Sequence, residues 1–421
     1  MVAILGHESY FSCSAFKTSF YFLLPDFVFM IPKSFYRRIE GELTELEKSS
    51  LLRTVPEVDF GADKELVFKG KRLLNLASND YLGLSKDQSL ATAAIKAVEQ
   101  YGCGSAASRL VTGNFRLYDE LERELAAFKE QEDSMLFTSG YAANLAIMDS
   151  FAGRRTVVFS DKLNHASILD GIRMSGARQV RYRHNDIAHL KKRMEASKDA
   201  DEKLLVTDTI FSMDGDLAYL EEIADLCDFY DTMLVVDEAH AEGVFGSGKG
   251  IAHERGLVRR VDLHMGAFSK GFGSLGGAVS GRKDLISYLR NKGRSFVFST
   301  ALSPAVIGAN LAALRMVAED PSRGDKLLHM SRDVKTYLES CGFDCGQSES
   351  QIIPVILGDN ETALTARDRL IEAGIYAAAI RPPTVPEGTA RLRLSLRADL
   401  TEVDLQKIKA AFGGLKAELE K

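Results

Sequence analysis

The stretch MLVVDEAHAEGVFG, residues 233–246, decides the fold. Met233 to Val236 are four apolar residues in a row, the pattern of a strand buried on both faces of a parallel sheet. Asp237 stands just past them and His240 follows three residues later. Ligands of open α/β sheets bind beyond the carboxyl ends of the strands, so both residues stand where a ligand would lie. A carboxylate there can hold a proton on a heteroaromatic nitrogen, and an imidazole there can hydrogen-bond a phenolic oxygen or stack nearby. Read alone, Asp237 also suits a turn cap. No GxxxxGK[ST] accompanies it, so an ATPase reading fails. No GxGxxG follows an early strand in a βαβ setting, so a dinucleotide-binding dehydrogenase is disfavoured.

Working outward, short apolar runs at 134–137, 156–159, 179–182, 203–209 and 263–267 alternate with longer mixed segments of helical spacing. This rhythm predicts an α/β fold with an open, mostly parallel sheet covered by helices on both faces, spanning residues 85–320. The texture changes after 320. Helices are expected at 324–339, 361–373 and 400–419, and strands at 351–357, 375–380 and 391–395, giving a smaller α+β domain over 321–421. Residues 30–84 are expected to hold a helix at 34–48, with Phe35, Ile39, Leu43 and Leu46 on one face, and a hairpin at 66–78 around Gly70. Residues 1–29 read as an extension that adds nothing to the chemistry. Within it and just beyond, FYFLLPDFVFMI (20–31) is apolar but is interrupted by Pro25 and Asp26, too short to cross a bilayer, and not preceded by a clear basic region.

The composition fits that architecture. The chain has 421 residues, 45% hydrophobic and 27% charged, which excludes wholesale disorder. Lys and Arg total 53 against 59 Asp and Glu, and no long basic block occurs, so neither nucleic acid nor membrane is an expected partner. The five cysteines are scattered and odd in number, which favours a reducing cytoplasm over a disulfide framework. No metal centre is expected.

Two further stretches carry chemistry. HMGAFSKGFGSLGGAVSG (264–281) sets Lys270 just after an apolar strand among glycines, where a lysine amine can form a Schiff base and a planar cofactor can approach. A lysine and a strand-end aspartate together are what pyridoxal 5'-phosphate requires: an amine for its aldehyde and an anion opposite its ring nitrogen. FTSGYAANLAIM (137–148) opens a helix at Ser139 and Gly140, where free backbone N–H groups would bind a phosphate. Asn144 lies on that helix and could face the ring. His165, in NHAS, is a candidate ring stacker or a satisfied helix-start histidine. Ser212, in FSMDGD, could touch the phenolic oxygen. Ser299 and Thr300 are further phosphate donors, possible from a second subunit.

Taken as a set, NDYLGLS (79–85), SRLVTGN (108–114), FTSGYAAN (137–144), NHAS (164–167), FSMDGD (211–216), VDEAH (236–240), FSKGFG (268–273) and FST (298–300) make the chain resemble the α-oxoamine synthases. These are a branch of the fold-type I pyridoxal-phosphate enzymes, which join an amino acid to an acyl thioester. The resemblance implies Lys270 as the covalent anchor, Asp237 against the ring nitrogen, His165 stacked on the ring and His240 near the phenolic oxygen. Tyr141 joins Ser139, Gly140, Asn144, Ser212, Ser299 and Thr300 in the implied cofactor site. A homodimer with sites at the subunit interface is also implied. AIRPPTVPEGTARLRLSL (379–396) resembles the biotin-pathway members, which condense L-alanine with a pimeloyl thioester carried by coenzyme A or acyl carrier protein. In that reading Arg393 takes the amino-acid carboxylate and Arg381 the far carboxylate of the acyl chain. Glycine with acetyl-CoA, plain aminotransfer and a non-catalytic cofactor-binding regulator are the alternatives. The chain departs from the pattern at Ala106 and Ala107, where glycines are common, at Ala267 for a threonine, at Tyr118 for a histidine, and at Ala241 and Glu242.

Overall fold

The structure, a computed structural model, describes residues 32–419, so the expectation for residues 1–29 lies outside the described residues. It divides into a first unit ending at Leu52 and a second beginning at Arg53. The described part of the first unit holds the helix Lys33–Lys48, which carries Phe35, Ile39, Leu43 and Leu46 at helical spacing.

The second unit holds three sheets. Strands β1 (Val58–Asp59), β2 (Glu65–Phe68) and β3 (Lys71–Asn75) come first, with β2 and β3 forming the hairpin expected around Gly70. The large sheet follows: β4 (Asp133–Phe137), β5 (Thr156–Asp161), β6 (Arg178–Tyr182), β7 (Glu202–Asp208), β8 (Met233–Asp237), β9 (Leu263–Ala267) and β10 (Gly277–Gly281). Its spatial order is β4-β10-β9-β8-β7-β5-β6. Strands β9, β8, β7, β5 and β6 are parallel, and β10 runs against both β9 and β4. Every residue of β5 and β9 is buried, which explains why they read as continuous apolar runs.

Strand β10 was not among the expected strands. Its sequence, GAVSG, is poor in strand-forming side chains because it must pass close to other backbone. A Cβ on Gly277 would lie 2.5 Å from the Ser139 carbonyl oxygen and 2.6 Å from the Gly140 nitrogen. Glycine there lets the start of the helix Gly140–Phe151 settle onto the sheet.

The remaining strands are β11 (Ile352–Gly358), β12 (Ile375–Tyr376), β13 (Ala378–Ile380) and β14 (Ala390–Ser395). Strands β11, β14 and β13 form an antiparallel sheet; the helices Asn360–Glu372 and Ser322–Ser340 pack against it, and the helix Glu402–Leu419 packs on those two. The single strand expected at 375–380 is two. β12 pairs in parallel with β3, and after the buried Ala377 the chain enters β13 in the other sheet.

Behind β8 lies a buried ionic cluster. Lys129 Nζ donates to Glu238 at 2.8 Å, to Glu242 at 2.9 Å and to the Lys249 carbonyl. His264 Nδ1 stands 3.6 Å from Glu238. The Glu242 carboxylate lies flat against Gly266, where a Cβ would come within 1.8 Å of Oε2.

Candidate active site

The carboxyl ends of the large sheet bring the candidate residues to one edge. Ser139 follows β4, His165 follows β5, Ser212 follows β7, Asp237 ends β8 and Lys270 follows β9. Each strand delivers its residue because the apolar run stops there and the chain turns out of the sheet.

Asp237 is buried and held by amides. Its Oδ2 accepts from Asn144 Nδ2 at 2.8 Å and its Oδ1 from the Ala239 N–H at 2.9 Å. No cation pairs with it among the described residues. Asn144 therefore serves Asp237 and Ser167, to which it also donates at 2.9 Å, and its Oδ1 is buried without a partner. A buried carboxylate held by amides and free of a direct ion pair among the described residues is suited to a protonated ring nitrogen.

Lys270 is half-buried. Burial lowers its proton affinity, and the Arg393 charge adds to that, against the pull of Asp237 and Asp208. Both lowering effects favour the neutral amine, the nucleophilic form.

His240 is buried, with Nδ1 2.6 Å from the Tyr81 hydroxyl. Burial and the charges of Lys270 and Arg393 push its pKa well below the ordinary histidine value, so the ring is neutral. His165 caps the helix Ala166–Ser175. Its Nδ1 lies 2.7 Å from Ser167 Oγ, its main-chain N–H donates to Asp208 at 2.8 Å, and its ring stays largely open.

Ser139 is the N-cap of the helix Gly140–Phe151, its Oγ accepting from the Ala142 N–H at 3.1 Å. Tyr141 donates its hydroxyl to Asp170, and its ring meets His165 edge-on at 6.3 Å. Ala267 Cβ would be 3.5 Å from a Cβ on Gly140, so the methyl group replaces a hydroxyl directly beside this helix start. Ser299 and Thr300 line a small hollow with Phe137 and Thr138, and Thr300 bridges to Ser108.

Arg393, on β14, is buried and has no carboxylate partner among the described residues. Its Nε donates to the Ser212 carbonyl at 2.5 Å, and its Nη1 to Asn79 at 3.1 Å and Ser395 at 2.6 Å. Arg381 lies apart from this group, half-buried after β13, next to a cis Pro382–Pro383 bond. Burial and the charges of Arg367 and Arg53 lower its proton affinity, which marks a concentration of positive charge.

Sequence reasoning missed three residues. Asn79 and Tyr81 sit in NDYLGLS, quoted as a motif without roles, and both touch Arg393. Asp208 is the register partner of Asp237 across β7 and β8. Burial and the neighbouring Asp237 raise its pKa well above the carboxylate range. Its place at the end of a buried strand, like that of Asp237, was the available signal.

A family profile described as Aminotransferase class I and II matches residues 71–412. The chain belongs to this family. It is a pyridoxal-phosphate-dependent enzyme of fold type I. A curated relative from Bacillus cereus (strain ATCC 10987 / NRS 248), named "Putative 8-amino-7-oxononanoate synthase", is 45% identical over 370 residues, covering 87% of this chain and 94% of the relative. A serine palmitoyltransferase from S. paucimobilis, solved with a bound PLP–myriocin aldimine, superposes with a TM-score of 0.87 at 30% identity, covering 93% of this chain and 100% of that one. An 8-amino-7-oxononanoate synthase from Francisella tularensis superposes with a TM-score of 0.72 at 26% identity, covering 83% of this chain and 98% of that one. The donor set fits the cofactor: a half-buried amine, an amide-held anion and a capped helix start converge on one sheet edge.

Proposed function

We propose that this protein condenses L-alanine with a pimeloyl thioester, releasing carbon dioxide and the free thiol and giving 8-amino-7-oxononanoate. The observation that carries the reading is Arg393, a buried guanidinium without a carboxylate partner among the described residues, beside the Lys270 and Asp237 site. A guanidinium grips a carboxylate with two parallel bonds, which suits an α-amino acid. The name of the 45% identical relative supports the choice of alanine and a pimeloyl chain.

Pyridoxal phosphate supplies an aldehyde that captures amines and a ring that accepts electron density from the α-carbon. The protein's own residues do the rest. Lys270 would be the amine that takes the cofactor's aldehyde and, as a neutral amine, the base for the α-proton, a role its lowered proton affinity serves. Asp237, fixed by Asn144 and Ala239, keeps the ring nitrogen protonated. The N–H groups at Ser139 and Gly140, with Ser299 and Thr300, hold the phosphate, and Tyr141 flanks them. His165 stacks on the ring, while His240 and Ser212 face the phenolic oxygen. Arg393 orients the alanine carboxylate, and Arg381 receives the distal carboxylate of the acyl chain. The assembled enzyme is a homodimer in this reading.

Product analysis tests the reading. The purified enzyme is incubated with pyridoxal phosphate, L-alanine and a panel of thioesters, pimeloyl, acetyl and palmitoyl among them, on coenzyme A and on acyl carrier protein. Mass spectrometry should find 8-amino-7-oxononanoate as the favoured product. Faster turnover of acetyl or palmitoyl thioester, or keto-acid formation alone, would overturn it.

A further inference from the structure

Tyr81 lies outside every role assigned above, yet it connects two of them. Its hydroxyl is 2.6 Å from His240 Nδ1, and both residues are buried. Arg393 Nη2 reaches the same hydroxyl oxygen at 3.5 Å, and Gln351, which donates to the His240 carbonyl at 2.7 Å, also faces it. A guanidinium has donors only, so it approaches the tyrosine oxygen through a lone pair. The phenolic proton is then left for an acceptor. Two are in reach, His240 Nδ1 at 2.6 Å and Asn79 Oδ1 at 3.3 Å. The shorter contact is the stronger, and Asn79 Oδ1 already accepts from Arg393. A neutral imidazole whose Nδ1 accepts must carry its proton on Nε2.

We infer that Tyr81 is a positioning residue that fixes His240 as an Nε2–H donor and links it to the carboxylate clamp at Arg393. The inference rests on the reading that places His240 beside the cofactor's phenolic oxygen. Among the described residues no protein group takes His240 Nε2, which leaves that N–H for the cofactor. Burial raises the Tyr81 pKa, so the phenol keeps its proton across the working range. The proton order runs from Arg393 to Tyr81 to His240. A carboxylate that engages Arg393 therefore changes the polarisation of the group that faces the ring.

The test uses histidine-selective ¹⁵N NMR of the holoenzyme and of the cofactor-free protein, with the His240 signal assigned by its loss in His240→Gln. The parent should show Nδ1 bare and Nε2 protonated. Tyr81→Phe keeps the ring volume and should populate both tautomers. The same variant should move the pH midpoint of the cofactor's visible absorption band upward by about half to one unit, because an anion that loses a donor holds its proton more tightly. A parent with the proton on Nδ1 overturns the inference without need of any variant. An unchanged tautomer in Tyr81→Phe overturns it too, as does a band that moves in His240→Gln but not in Tyr81→Phe. If the tautomer shifts in Tyr81→Phe while neither variant moves the band, Tyr81 is upheld as the group that sets the tautomer, and the placement of His240 against the cofactor is what fails.

Discussion

Single residues carry most of the chemistry, and three of them make separable predictions. Asn144 donates to the buried Asp237. Removing one hydrogen bond to a charged group costs about 1.5–3 kcal/mol, so Asn144→Ala should weaken pyridoxal-phosphate binding about ten- to a hundred-fold, read by absorbance titration of the cofactor-free protein. Arg381 sits amid the charge of Arg53 and Arg367. Arg381→Ala should cut the ratio of kcat/KM for pimeloyl over an uncharged thioester of similar length by about ten-fold or more while sparing the KM for alanine. Ala106 has φ of +53°, in the left-handed region that a methyl group disfavours. Ala106→Gly should stabilise the fold by about 1 kcal/mol, seen as a higher urea midpoint. It is also one of the two positions where the sequence showed alanine in place of a common glycine. The legible site residues are those that end an apolar run, Asp237 and Lys270. Tyr81 and Asn79 were opaque because their partners Arg393 and His240 lie far along the chain, and nothing local announces such contacts.

At the scale of elements, one clamp fixes the loop that carries Ser212. His184, just after β6, bonds Asp161 at the end of β5 through Nδ1 at 3.1 Å and Asp216 of the loop through Nε2 at 2.7 Å. The two carboxylates, working against burial, raise the His184 pKa to about 9. A raised folded-state pKa contributes stability that is complete below the unfolded value of about 6.5 and is lost as pH climbs through about 9. The parent should thus lose about 2–3 kcal/mol from this group between pH 6 and pH 10, and His184→Gln should flatten that slope, measured as urea midpoints at the two pH values. Strands β4, β5, β7 and β8 were legible because each carries an apolar core, MLF, VVF, LLV and MLVV, whereas β6, RQVRY, is mostly exposed and offers only Val180 and Tyr182 as apolar markers. β10 was not, since close backbone contact at Gly277 replaces side-chain pattern with glycine. The break inside 375–380 was hidden for a different reason: β12 and β13 are both short and apolar, and only their partners, β3 and β14, tell them apart.

Across the whole molecule, the large sheet is tied together from behind by charge as well as by apolar packing. Lys129 follows the helix Arg116–Phe128, Glu238 and Glu242 follow β8, and His264 lies on β9. Burial would raise both carboxyl groups. Lys129 and His264 overcome it at Glu238, which stays well below the usual range, while Glu242 remains raised. Lys129→Met would leave two buried acids facing each other and should cost about 3–5 kcal/mol in chemical denaturation. Pairing it with Glu242→Thr should recover part of that loss. The seat of Glu242 on Gly266 gives this cluster a second meaning, one about sequence change through time. A side chain added at 266 meets the glutamate carboxylate, and the lysine cannot go while both glutamates remain without leaving buried acids unpaired, whereas loss of Glu242 still leaves Lys129 paired with Glu238. The three positions therefore form a one-way gate: Glu242 has to change first, and descendants of this chain should keep Gly266 and Lys129 for as long as they keep that glutamate.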